Sequence, residues 1–212
     1  MKCLISAGPT VERIDPVRFI SNRSTGEMGY ALAAAARDAG FEVVLVSGPT
    51  RLEPPAGVAF VPVESAAEMA EAVRREAADC QLVIMAAAVA DYRPAHPLER
   101  KMKKSSGPLL LELERTEDIL ASLGRVKPAG QTLVGFAAET DDLLTNALGK
   151  MERKNLDWIA ANSVAAGFGT DTNTITLLGR NGEKIELANA PKSEIAADLI
   201  AIVTGNPSEK KK

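Results

Sequence analysis

Short, almost uninterrupted apolar runs at residues 2–7, 41–47 (FEVVLVS), 58–63 and 81–89 (QLVIMAAAV) alternate with stretches of helical period. That alternation constrains the fold more than any other feature. A strand that is apolar on both faces needs cover on both, and a parallel sheet flanked by helices supplies it. Residues 26–39 have helical spacing, with Gly40 placed as the residue that stops the helix. The sequence SAAE at 65–68 is a capping box, opening a helix that runs to about residue 78. The expected fold class is therefore α/β: a Rossmann-like, doubly wound, mostly parallel sheet with helices on both faces. Residues 91–108 are polar, basic and aperiodic, and read as a long loop. Regular structure resumes with an extended stretch at 109–114, a short helix at 117–123, a strand at 131–138, a helix at 141–154 and a strand at 157–161. Residues 172–178 and 183–187, joined through GRNG, read as a C-terminal β-hairpin, at a sheet edge or where a second subunit adds. A helix at 193–203 closes a single domain over 1–205, and 206–212 is a flexible polar tail.

Composition narrows the chemistry. With 25 Lys+Arg against 28 Asp+Glu, the formal charge of −3 gives no global attraction to nucleic acid or an anionic membrane, so neither is an expected partner. No apolar run approaches the roughly 18 residues of a membrane span. His96 is the lone histidine, and Cys3 and Cys80 both begin apolar runs. A multi-His metal site, a thiolate zinc site and a disulfide framework are all ruled out. No secretory signal precedes the cysteines, so a reducing, cytoplasmic setting is expected. Chemistry falls to Lys, Arg, Asp, Asn, backbone amides and Mg²⁺.

The first strand–helix junction is unusual. The strand ends in Ala7-Gly8-Pro9-Thr10, yet the helix begins only near Gly26. A dinucleotide fingerprint needs its glycines directly after the strand, and Arg13 stands where the last should be. The second strand ends in Ser47-Gly48, without the acid that holds an NAD ribose, so nicotinamide chemistry is disfavoured. Instead, hydroxyls and glycines from Ser21 to Gly29 lead into the helix, where free N–H groups and the dipole favour an anion. Gly8 lets the backbone approach the same group closely. The blander alternative is that Ser24 or Thr25 merely caps the helix. Glu27 counts against a polyanion there, because it competes for the same field. A second constellation runs from Ala86 to Asp91 and on to Arg100, Lys101, Lys103 and Lys104. The small residues let a ligand lie against the backbone, and Asp91 beyond the strand end suits Mg²⁺ or a polar ligand group. The lysines are either mobile point charges for phosphates or a solvated run. Lys150 and Lys154 share one helix face, where complementing the helix dipole is the alternative use.

SAGPT (6–10), DPVRFISN (15–22), STGEMG (24–29), AAVADY (87–92), KMKK (101–104), GFAAET (135–140) and KNLD (154–157) stand in order along the chain. With them the chain resembles phosphopantothenate–cysteine ligase, also called phosphopantothenoylcysteine synthetase, of the bacterial CTP-dependent type, from Lys2 to about Val203. The resemblance implies that 4′-phosphopantothenate and L-cysteine are joined in coenzyme A biosynthesis. CTP is the implied co-substrate, an acyl-cytidylate the intermediate, and pyrophosphate and CMP the released products. Asn22 and Lys101 are the implied catalytic residues: Asn22 orients the acyl-nucleotidylate and Lys101 closes over the phosphates. Arg18, Asn22, Ala87, Ala88 and Asp91 are the implied substrate contacts. Arg18 reaches the neighbouring subunit's substrate, which makes the site a property of a homodimer. The implied nucleotide residues are Gly8, Ser24, Gly26, Gly29, Met85, Ala86, Ala87, Asp91, Lys101, Phe136, Lys150 and Lys154. Glu117, Asp118, Ile119 and Leu120 join them at the nucleotide edge. Asp91 is the implied Mg²⁺ ligand, no flavin is expected, and a flavin-dependent phosphopantothenoylcysteine decarboxylase is a further implied partner. Two departures stand out: TEDI at 116–119 lacks the proline often found there, and Glu27 replaces a residue that is often Lys. A nucleotide-binding module that has lost turnover, and NAD(P)-linked oxidoreduction, are the competing readings.

Overall fold

The structure is a computed structural model that describes residues 1–103, 106–139, 143–163 and 172–205. Its centre is an eight-stranded sheet in the order β12-β11-β10-β9-β6-β1-β4-β5. The parallel strands are β1 (Lys2–Ala7), β4 (Glu42–Ser47), β5 (Ala59–Pro62), β6 (Leu82–Met85), β9 (Thr132–Glu139) and β10 (Trp158–Ser163). They lie in the 3-2-1-4-5-6 order of doubly wound nucleotide-binding sheets. The expected hairpin, β11 (Thr172–Gly179) and β12 (Lys184–Pro191), adds antiparallel to β10 and forms one edge.

Alternation along each strand divides the core. Cys3, Ile5, Ala7, Leu82 and Ile84 face α1 (Glu27–Asp38) and α5 (Lys192–Val203). Leu4, Val83 and Met85 face α2 (Ala66–Ala77), α3 (Ile119–Val126) and α4 (Leu143–Arg153). The continuous apolar runs are thus two half-cores read alternately. In α1, Gly29, Leu32, Ala33 and Ala36 form the buried stripe. Burying a side chain such as Leu32, which has no exposed surface, contributes about 2 kcal/mol. Gly40 (φ 87°) ends α1 in a Schellman motif, Phe41 N–H donating to Ala36 O and Gly40 N–H to Arg37 O.

Several boundaries move. The run 81–89 is a strand only to Met85, because the backbone of 86–90 turns to bond residues 6–10. The junction 11–25 holds a small hairpin, β2 (Val11–Arg13) with β3 (Phe19–Ser21). The presumed loop contains β7 (Tyr92–Pro94), paired with β8 (Leu113–Arg115). Helix α3 starts at Ile119, not 117, because Asp118 is its N-cap and accepts from Ala121 N–H. Ser65 caps α2 by accepting from Glu68 N–H, but the Glu68 carboxylate accepts from Glu64 N–H and so shifts the box by one residue. Lys104, the expected helix start at 141 and the tail 206–212 lie outside the described residues.

Candidate functional site

The chain leaves β1 toward α1 on one face and β6 toward α3 on the other, so the crevice beyond their carboxyl ends is the sheet's switch point. Its floor is the segment 86–90, laced to 6–10. Ala87 N–H donates to Ser6 Oγ (3.1 Å) and Ala90 N–H to Thr10 Oγ1 (2.9 Å). Backbone bonds from Ala88 N–H to Gly8 O and from Thr10 N–H to Ala88 O complete the lacing. Ser6 and Thr10 are wholly buried. The hydroxyls of SAGPT therefore serve the backbone of AAVADY, a pairing of distant motifs that sequence spacing does not reveal.

Asn22 closes this floor. Its Nδ2 donates to Ala88 O (3.1 Å) and Val89 O (3.2 Å), so two carbonyls fix which way the amide faces. Its hydrogens are occupied, and what it offers a ligand is the carbonyl oxygen, an acceptor.

Two lobes flank the floor and share Ala87 and Phe136. The first is lined by Arg23 to Gly29, Ala86 to Ala88, Phe136, Asn162, Asn173 and Lys192. The second is lined by Met85, Ala87, Val89, Asp91, Glu117 to Leu120, Phe136, Lys150 and Lys154. Neither Ser24 nor Thr25 is the N-cap of α1, although Ser24 Oγ accepts from Gly26 N–H (3.3 Å) and Thr25 Oγ1 from Glu27 N–H (3.5 Å). The N-cap is Gly26, left-handed at φ 82°, with no side-chain cap bond. A Cβ on Gly26 would lie 2.7 Å from Thr50 Cγ2 and 3.3 Å from Gly8 Cα, so glycine is needed for conformation and for space. Gly8 (φ 70°) lines neither lobe. It is packed against Gly48 and Gly26 and shapes the loop from behind.

In the second lobe both lysines already have protein partners. Lys154 Nζ donates to Asp118 Oδ1 (2.9 Å), and Lys150 Nζ to Phe136 O (2.7 Å). Burial works to raise the Asp118 carboxyl. The Lys154 and Ala121 donors and the charges of Lys154 and Lys150 outweigh it and hold the group below the usual carboxylate range. Glu117 is held low by its bond to Arg74 Nη1 (2.6 Å). Both lysines thus turn from helix α4 into the lobe, while Glu117 and Asp118 are engaged by protein cations. Ile119 and Leu120, the first two residues of α3, are buried and reach the lobe only at its wall. In KNLD, only Lys154 lines a lobe. Asn155 (φ 53°) ends α4, and Asp157 accepts from Lys127 Nζ and Leu133 N–H.

Arg18 and Lys101 line neither lobe. Arg18 Nη1 pairs with the buried Asp15 (3.0 Å), and its Nη2 reaches Met102 O (3.4 Å). Asp15 also accepts from Met102 N–H (3.1 Å). The residue after Lys101 is therefore anchored to the turn before Asn22, while the Lys101 side chain is exposed. The sequence reading missed Asn162, Asn173 and Lys192. Lys192 carried a signal: a cation in the first turn of a helix opposes the dipole and needs a reason. Glu27, read as an obstacle to anions, is hydrogen-bonded and ion-paired to Lys192. Among the described residues no group of three or more His, Cys, Asp or Glu is placed to hold a metal, and no helix is long and apolar enough to cross a membrane.

The family described as DNA/pantothenate metabolism flavoprotein C-terminal domain matches residues 1–205. The chain is 50% identical over 201 residues to the coenzyme A biosynthesis bifunctional protein CoaBC of Bacillus subtilis, covering 93% of this chain and 49% of that protein. It is also 50% identical over 205 residues to a protein named cysteine/cysteine sulfinic acid decarboxylase from an unknown prokaryote, covering 94% of this chain and 56% of that one. The chain thus spans about half the length of these relatives. A crystal structure of the C-terminal domain of CoaBC superimposes with a TM-score of 0.83 at 44% identity, covering 96% of this chain and 94% of that one.

Proposed function

The chain belongs to the DNA/pantothenate metabolism flavoprotein C-terminal domain family. On that premise we propose that it is the ligase that joins 4′-phosphopantothenate to L-cysteine in coenzyme A biosynthesis, using CTP. The observation that carries the proposal is the two-lobed switch-point crevice, with Asn22 clamped beside it to the carbonyls of Ala88 of the first lobe and Val89 of the second. Two phosphorylated reactants need separate anion-tolerant lobes and a shared point where carboxylate and α-phosphorus meet.

In the first step the phosphopantothenate carboxylate oxygen attacks the α-phosphorus of CTP. The bond to the bridging oxygen breaks, pyrophosphate leaves and the acyl-cytidylate remains. In the second, the cysteine amine attacks the acyl carbon, CMP departs and the amide forms with loss of a proton. The first step mainly requires charge neutralisation and in-line alignment. The N–H groups at the start of α1, with Ser24, Gly26 and Gly29, suit the phosphates. Phe136, Lys150 and Lys154 line the side suited to the nucleoside, with Met85, Ala86, Glu117, Asp118, Ile119 and Leu120 at its wall. Ala87, Ala88 and Asp91 suit the pantothenate arm. Mg²⁺ fits Asp91, whose hard oxygen lies on the crevice wall while Glu117 and Asp118 are paired with cations. One carboxylate plus ligand phosphates is an ordinary Mg²⁺ environment, and the ion would supply charge neutralisation at the phosphates. Lys101 acts from its anchored loop, and Asn22 orients the acyl-cytidylate through its carbonyl oxygen.

The protein works as a homodimer in which Arg18 serves the neighbour's site. Support comes from Val17, Phe19, Tyr92, Leu98, Leu110 and Leu113, apolar side chains left exposed on β3, β7, β8 and their loops around Arg18. A cytoplasmic location, and a flavin-dependent decarboxylase that takes the product, belong to the same reading. Step-resolved turnover tests it. Asn22→Asp is expected to release pyrophosphate and accumulate the acyl-cytidylate, whereas Lys101→Gln stalls before pyrophosphate. Both variants stopping at one step would refute the division of roles.

A further inference from the structure

We propose that Lys192 is a phosphate-binding residue of the first lobe and that Glu27 is its built-in substitute anion, displaced when ligand enters. Lys192 lies in the first turn of α5, where the helix dipole disfavours a cation, and its side chain is only 9% exposed. Burying an ammonium against a dipole is costly unless an anion meets it. The anion that does so is Glu27, in the first turn of α1 on the opposite wall. Both side chains line the first lobe, together with the uncapped start of α1.

The two partners are unequal. Glu27 is 35% exposed at its side chain and sits at a helix start open to solvent, so it can turn outward to water. Lys192 has no comparable outlet, its side chain being buried. An entering phosphate would exchange with the carboxylate, taking over the charge-assisted bond to Nζ as well as the N–H groups of α1. Asn162 and Asn173, each more than nine-tenths buried, also line this lobe and add polar groups to its wall. Until that exchange Glu27 balances Lys192, so the empty site holds no unpaired buried ammonium, and the lobe's other charged side chain, Arg23, is exposed.

The inference rests on the proposed reading of the crevice as a site for phosphorylated ligands, and its test separates the two. Binding of inorganic pyrophosphate, CTP and 4′-phosphopantothenate is measured by calorimetry, with thermal midpoints, for wild type, Glu27→Gln, Lys192→Arg and the double variant Glu27→Gln/Lys192→Gln. The double variant removes both charges together and leaves no buried charge unpaired. Glu27→Gln is expected to lower the unliganded midpoint and to bind pyrophosphate more tightly than wild type, with pyrophosphate restoring the midpoint. The double variant is expected to lose about tenfold in affinity, the size of one charge-assisted bond. The loss falls on CTP if Nζ serves the nucleotide and on phosphopantothenate if it serves the other phosphate. Lys192→Arg keeps most of the affinity. If all variants bind all ligands within twofold of wild type while midpoints fall, the pair is only structural and the proposal is wrong. Wild-type binding of pyrophosphate without CTP or phosphopantothenate overturns the ligase reading and leaves the anion site standing.

Discussion

One substitution should have opposite effects in two helices, and the difference comes from what a single methyl group meets. Gly→Ala within a helix gains about 1 kcal/mol from propensity. At Gly149 in α4 the new Cβ would meet only the far end of the Arg153 side chain, 2.9 Å from Nη1. That guanidinium can move, so Gly149→Ala is expected to stabilise by about 0.5–1 kcal/mol. At Gly29 in α1 the Cβ would lie 2.5 Å from Ala7 Cβ and 3.0 Å from Ala7 Cα. Ala7 has no exposed surface and belongs to β1, which is paired on both sides, so the strand cannot yield. Overpacking costs about 1–3 kcal/mol, and a 2.5 Å contact against a fixed strand puts the cost in the upper part of that range, about 2–3 kcal/mol, above the gain in propensity. Gly29→Ala is therefore expected to lose about 1–2 kcal/mol net and about 3–6 °C in thermal midpoint, against a rise of about 2 °C for Gly149→Ala. The clash also pushes the first turn of α1 away from the crevice floor, so CTP affinity should fall about tenfold, whereas Gly149→Ala leaves it unchanged. Scanning calorimetry and CTP titration read both quantities. Equal or greater stability of Gly29→Ala would refute the claim that this glycine exists for close helix–strand contact.

Asp15→Asn should speed hydrogen exchange at the Met102 amide and lower turnover while amides of β1 keep their protection. Unaltered exchange at Met102 contradicts the anchoring of the Lys101 loop. Burial works to raise the Asp15 carboxyl, but the N–H groups of Val17, Met102 and Arg18 and the Arg18 charge hold it below its ordinary 3.8. Its contribution is thus present at neutral pH and lost as pH falls through that region. At the alkaline end, burial pushes Cys80 up to about 11 from 9.0, with Lys2 opposing and nearby carboxylates assisting, and burial pushes Cys3 up as well. A thiol harder to ionise in the fold than in the unfolded chain costs stability as pH rises from 9 toward 11. Urea midpoints should decline over that window, and Ellman's reagent should react only as the protein unfolds; rapid reaction of folded protein rejects the assignment. Mixing Arg18→Ala with Asn22→Asp protomers should restore activity in heterodimers, and its failure would leave each site within one subunit.

The sheet was legible because its strands are apolar on both faces, and Gly40 and the GRNG turn carry conformational demands that composition alone exposes. The pairs β2–β3 and β7–β8 were not. Sequences such as VER, FIS, YRP and LER have no apolar period, and their pairing depends on where the sheet brings them. In the crevice, Phe136, Lys150 and Lys154 line the lobes, and Asn22 lines neither but is bonded to their floor. Gly8 is packed behind the loop and lines neither lobe, and Asp118 lines the second lobe while also capping α3, placements that spacing does not reveal. Asn162 and Lys192 escaped because each lies far along the chain from the motifs it faces, and polar residues at strand and helix ends are common. The opposed dipole at Lys192 was the one available clue.

The most direct measurement of the central claim is turnover of the purified protein with 4′-phosphopantothenate, L-cysteine, Mg²⁺ and CTP or ATP in turn, following pyrophosphate and amide together. The account predicts pyrophosphate and phosphopantothenoylcysteine in equal amounts with CTP, and little product with ATP. No pyrophosphate with either nucleotide would contradict the ligase reading itself, whereas equal use of ATP would contradict only the preference for CTP.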